Sequence, residues 1–209
     1  MIIATTSSTL DNLLENNKIF VNEYTNNRLM KLIKSDDMKE KNLRKRLLDC
    51  IQVFSDYFQK VVMLRYILCD NHKFLSVAQL HLTEEYGHNI SLKQDREHRP
   101  SVWDPILEST SCWFAWKMFT LDEEEKTVLV HLVLETSAQL FFTRAHQVME
   151  QYQETEYFKI HQHEQMGIDL LKELTVEKYQ RLQKILSQGW AILNTACNQI
   201  ALLTQQESF

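Results

Sequence analysis

VLVHLVLETSAQLFF, residues Val128–Phe142, is apolar on almost every side, yet His131, Glu135 and Gln139 interrupt it at successive steps of four. That density of apolar side chains predicts a helix buried around most of its circumference. The steps of four draw one polar line along it. A carboxylate inside such a helix is costly unless it is paired, hydrogen-bonded or bound to a cation. Glu135 is therefore the residue on which both fold and function turn. Two readings are open for it: a ligand to a bound cation, or a partner to an Arg, Lys or Tyr on a neighbouring helix.

The rest of the chain fits around a buried helix. Three glycines and two prolines in 209 residues are too few for a sheet protein with many tight turns. Apolar residues recur at spacings of three and four almost throughout. The expected fold is all-α, a single domain over residues 1–209 built as one bundle of seven or eight helices, with the helices of 1–34 packed on it. Helices are expected after Ser8, through Lys18–Ile33, from Ser35 to about Asp70, from Lys73 to about Glu97, and over Ile106–Phe119. A capping box at Thr120 and Glu123 would launch the helix carrying Glu135 through about Glu150. Two more would run from about Thr155 to Leu174 and from a Thr175 cap to about Leu203.

Several functional classes are disfavoured. A formal net charge of −5 and the lack of a dense Lys/Arg block give no reason to expect nucleic acid. The locally basic Lys39–Arg46 reads as a solvated helix face. No run approaches the ~20 apolar residues needed to cross a bilayer, and Met1 leads into no signal-like segment. Cys50, Cys69, Cys112 and Cys197 lie far apart without a C-x-x-C, as expected for free, buried thiols in the cytoplasm. Glycine-rich phosphate loops and a G-x-S-x-G elbow are missing.

Two further clusters hold ligand-type side chains. HLTEEYGH, His81–His88, puts His81, Glu84, Glu85 and His88 at i, i+3, i+4 and i+7, which share a face if one helix contains them all. YFKIHQHEQMG, Tyr157–Gly167, offers His161 and Glu164 at i and i+3. With Glu135 these make three clusters on three expected helices. Carboxylates and imidazoles projecting inward from separate helices are the donor set of iron carboxylate sites.

In their order along the chain, EEYGHN, Glu135 and YFKIH resemble the heme-oxygenase-like helical superfamily. That superfamily includes the TenA/PqqC proteins, the CADD-like proteins and the heme-oxygenase-like di-iron oxidases. The resemblance covers about Gln52 to Leu203 and rests on motif order and helix length. It implies a heme-oxygenase-like bundle and an iron site with Glu85, His88, Glu135 and His161 as ligands. Glu84, His81 and Glu164 are the reserve candidates. The oxidase pattern continues with an Asp and a His after His161, where this chain has Gln165 and Ile168. The resemblance therefore implies a reduced metal site.

Heme is not expected, because the residues before Ser35 hold no His and the Glu135 helix holds no Gly. Cys112, in SCWFAW, reads as a buried thiol beside Trp113 and Trp116 rather than a nucleophile. Two functions remain. One is an iron-dependent oxidase or oxygenase, an oxidoreductase acting on a small amine- or carboxylate-bearing molecule. The other is a non-catalytic adaptor, such as a chaperone or secretion adaptor, whose degenerate site is a remnant and whose surface binds a partner helix. Trp113 and Trp116 are its candidate anchors. The oligomeric state is left open, a homodimer being one option.

Overall fold

Thr9, Asn27, Asn71, Asp104 and Thr175 each accept a backbone N–H from the first turn of the helix that follows, and these caps set the chain's punctuation. The computed structural model describes residues 9–152, 157–159 and 166–206. Among them the protein is all-α. Its elements are α1 (Leu10–Thr25), α2 (Arg28–Ile33), α3 (Lys41–Ile67), α4 (His72–Glu85), α5 (His88–Asp95), α6 (Pro105–Thr120) and α7 (Glu123–Thr127). A π-helical segment (Val128–Glu135), α8 (Thr136–Met149) and α9 (Val176–Gln205) complete them. Short 3-10 turns occupy Asp36–Lys39, Glu150–Tyr152, Tyr157–Lys159 and Ile168–Leu171.

The two longest helices organise the packing. α3 lies against α6, α9, α4 and α5, while α9 lies against α6, the π segment, α1 and α2. All eight residues of the π segment are buried, so its neighbours enclose it as its composition requires. α1 and α2 cover α8 and α9. Fully buried Trp190 of α9 donates from Nε1 to Asn17 Oδ1 of α1 at 2.8 Å, satisfying the indole N–H inside the core. No helix among the described residues is long and apolar enough to cross a membrane.

Several expected boundaries move, each for a local reason. The boundary expected before Lys18 moves to Asn26–Asn27, so α1 runs unbroken through Lys18 to Thr25 and Asn27 caps α2 through Met30 N–H. The Ser35–Asp37 region forms a 3-10 turn, and α3 starts only at Lys41 and ends at Ile67. The expected Lys73–Glu97 helix is split at Tyr86-Gly87, where Gly87 takes φ +88°, a left-handed geometry that glycine adopts without Cβ strain. The capping box is built two residues later than expected: Asp122 accepts from Glu125 N–H while the Glu125 carboxylate accepts from Asp122 N–H. Of the expected Thr155–Leu174 helix, the described parts are 3-10 turns.

Gly189 of α9 packs directly against the π segment. A Cβ there would sit 2.6 Å from Leu129 Cδ1 and 3.0 Å from Val133 Cγ2, two fully buried side chains. Gly189→Ala should therefore destabilise the protein by about 1–3 kcal/mol despite alanine's better helix propensity, because overpacking outweighs it. Urea unfolding reads the effect; a stabilised variant would mean that the π segment yields freely.

Candidate metal centre

The inward face of α4 runs Phe74, Ala78, His81, Glu85, so an apolar stripe ends in an imidazole and a carboxylate. Glu135, the last residue of the π segment, meets them from the opposite element. His81, Glu85 and Glu135 are all buried, and one ligand atom from each lies within 4.8 Å of the others. A π-helix bonds i→i+5 and is rare, usually found at functional sites. Here its wider turn is supported by Thr136, whose hydroxyl donates to the His131 carbonyl five residues back at 3.0 Å.

The cluster overlaps the expected ligand set without matching it. Glu85 and Glu135 are brought together as expected, and His81, a reserve candidate, supplies the imidazole. His88 does not join as a coequal ligand, because the Gly87 turn puts it on α5 rather than on the helix of Glu85. Its Nδ1 instead bonds Glu85 Oε2 at 2.9 Å from the partly exposed side. Glu84 is half-buried, and the cluster does not include it. His161 and Glu164, with His163 and Gln165, lie outside the described residues. Gln139 is exposed, so the polar line of the helix is cut after Glu135, where π geometry returns to α.

Arg65 of α3 is the partner that sequence reading did not name. It is 1% exposed. Its Nη1 lies 2.7 Å from His131 Nε2 and 3.4 Å from His81 Nδ1. A guanidinium can only donate, so both imidazole nitrogens accept. His81 then carries its proton on Nε2 and donates it to Glu135 Oε1 at 2.8 Å. A buried cation is thereby joined to a buried carboxylate through one neutral imidazole. Burial pulls the Arg65 pKa down to about 10, against the raising influence of Glu123, Cys69 and Glu135, so it stays charged near neutral pH. Among the described residues, Arg65 Nε and Nη2 and His131 Nδ1 have no hydrogen-bond partner. Burial first, then the Arg65 charge beside it, holds His131 well below the usual histidine range and keeps it neutral.

A second wall of the centre is aromatic. Phe58 of α3 packs edge-on to the His81 ring, with centroids 6.0 Å apart. Tyr157 is buried, its hydroxyl 3.0 Å from Ser55 Oγ. Its pKa is raised mainly by burial, with Glu85 and Glu135 near enough to add to the rise. Of the tryptophan pair, Trp113 packs on the core and Trp116 is 60% exposed. Cys112, expected to be buried, is exposed beside them, and Cys69 is only half-buried, whereas Cys50 and Cys197 are interior as expected.

The chain is 34% identical over 200 residues to an uncharacterized protein of Rickettsia prowazekii (strain Madrid E), a match spanning 93% of this chain and 96% of that one. The two form one family. No family model and no solved structure matches the chain.

Arg65→Met should remove the buried cation that reaches Glu135 through His81 and cost about 3–5 kcal/mol at pH 7. Adding Glu135→Gln should recover part of that loss, since the pair is coupled. Urea unfolding of both variants is the check; a single variant within about 0.5 kcal/mol of wild type would refute the pairing. Acid gives a separate readout in chelator-treated protein. His131 is depressed in the folded state, so the unfolded chain binds a proton that the folded chain refuses below about pH 6.5. His131 therefore contributes stability that is complete above that pH and declines as pH falls toward the depressed value. His131→Gln should flatten this part of the stability–pH curve by up to about 1.4 kcal/mol per pH unit.

Proposed function

We propose that His81, Glu85 and Glu135 hold a divalent metal ion, iron in the first instance, in an oxidase or oxygenase of the heme-oxygenase-like kind. The observation that carries this reading is the convergence of one imidazole and two carboxylates, all buried, at the end of a π segment. A mixed nitrogen and oxygen donor set suits Fe(II) or Mn(II). The contact from Arg65 to His81 Nδ1 is long at 3.4 Å, whereas that to His131 is 2.7 Å. His81 can therefore give up the Arg65 contact and shift its proton to Nδ1 when Nε2 takes a metal, and Arg65 stays anchored.

Iron bound here would supply the reduction of dioxygen. The chain's own groups hold charge and shape around it. Glu85 and Glu135 offset the metal's charge, and His88 orients the Glu85 carboxylate from the solvent side. Arg65 reaches Glu135 through His81, and His131 holds the guanidinium in place. Tyr157 and Phe58 exclude water from the inner side, and the Ser55–Tyr157 hydroxyl pair provides a proton-bearing group close to the carboxylates.

A second reading, a protein-binding adaptor, has one feature in its favour. Met63, Ile67, Trp116 and Phe119 of α3 and α6 are 39%, 68%, 60% and 58% exposed along a shared apolar groove. Aromatic anchors in such grooves dominate interface energetics.

Anaerobic Fe(II) titration of metal-stripped protein separates the two. The oxidase reading expects about one Fe(II) per chain, and uptake weakened by at least about tenfold in Glu135→Ala, in line with the loss of one donor. Absence of uptake in a folded wild-type protein would remove that reading. Stoichiometric iron with iron-dependent dioxygen consumption would remove the adaptor as the main role.

A further inference from the structure

Beside the carboxylate cluster lies an apolar cavity of about 70 Å³. Phe58 and Tyr157 form the wall common to both, and Leu134 of the lining directly precedes Glu135. From there the cavity extends between α3, α8 and α9 to Ile51, Leu193 and Ile200. Ile51 to Phe58 is two turns of α3, so the lining on that helix spans roughly 10 Å. No charged side chain lines it among the described residues.

The few polar groups in its wall are already engaged. The Tyr157 and Ser55 hydroxyls bond each other at 3.0 Å, Tyr24 Oη donates to the Ser137 carbonyl at 3.3 Å, and Ser137 Oγ donates to the Leu134 carbonyl at 2.8 Å. Cys197, whose pKa burial raises, contributes a neutral thiol. An occupant thus finds dispersion contacts and almost no hydrogen bonds. Water needs two to four polar partners to stay in such a place, and an amine or carboxylate would lose its hydration without compensation. Size narrows the choice again: a dry cavity of about 150 Å³ admits benzene or xenon, and this one has about half that volume.

We infer that this cavity is a pocket for a small apolar gas, dioxygen, which it concentrates next to the His81–Glu85–Glu135 cluster. The inference rests on the metal reading above for its role, though not for its occupancy. It also separates two routes: dioxygen reaches the centre from the apolar side, and a polar co-substrate would have to approach from the side of His88, where the cluster nears solvent.

Xenon, which matches dioxygen in being apolar and compact, probes the pocket without any metal. In metal-stripped full-length protein, xenon NMR or xenon-pressurised crystals should reveal one saturable interior site. Ala138→Leu on α8 and Leu193→Phe on α9 fill the cavity from two different helices, so a folding failure in one leaves the other. Xenon binding should be lost in whichever variant folds, with Fe(II) stoichiometry unchanged. The rate at which limiting dioxygen oxidises the bound Fe(II) should fall about tenfold, the difference shrinking to less than about twofold at saturating dioxygen. An empty or water-filled cavity under xenon would overturn the inference, as would displacement of xenon by a short alkyl carboxylate. Unchanged oxidation in a filled variant would overturn the delivery role. Xenon uptake in a protein that takes no iron would instead remove the metal reading and leave a gas pocket without that role.

Discussion

A guanidinium and two carboxylates inside an apolar bundle constrain everything around them. Arg65, Glu85 and Glu135 are each at most 7% exposed, and none can be left without compensation at an acceptable cost. The line from Arg65 through His81 to Glu135 meets that demand for two of them with one neutral imidazole, fixing the tautomer of His81 and, through the second contact, that of His131, while His88 bonds Glu85. α3, α4 and the π segment are each held in register by this polar line. Apolar packing alone would tolerate small slips between them, because one buried methyl replaces another at modest cost. A charge line does not tolerate slips.

The backbone bends to the same demand. α4 ends at Glu85 because Tyr86 and left-handed Gly87 turn the chain, which leaves the Glu85 carboxylate at a helix terminus and sends His88 to its outer side. On the opposite element the helix widens into π geometry over the residues that carry His131 and Glu135, then returns to α as soon as Glu135 is past. Irregular backbone on both sides of one polar cluster, inside an otherwise regular bundle, is what a site under functional constraint looks like.

The all-α class was legible because glycine and proline are scarce and the apolar period is helical throughout. The burial of Glu135 was legible too, since a carboxylate in VLVHLVLE needs either a cation or a partner from a neighbouring helix. The break at Gly87 was harder: one glycine inside a helical pattern costs little, and only a neighbour that needs the turn makes it decisive. That break is why His88, equal to His81 by spacing, ends up serving Glu85 instead. Arg65 was visible as the lone charge in VVMLRYIL, the same kind of signal as Glu135, but periodicity does not say which of two buried charges faces the other. The π segment left no trace, because i→i+5 bonding depends on the packing around it rather than on its own residues.

Surplus backbone gives the π segment a further consequence, in heredity rather than in energy. A π stretch accommodates an extra residue that an α-helix of the same span would not hold. Losing a single residue between Val128 and Glu135 would let the helix close with ordinary α bonds over the same span, keeping the flanking turns in register while the residues within the segment turn to new directions. His131 and Glu135 would no longer look toward the same neighbours, although the apolar residues on every side would still fill a core. One codon therefore separates a chain that builds this polar centre from one that folds around its absence.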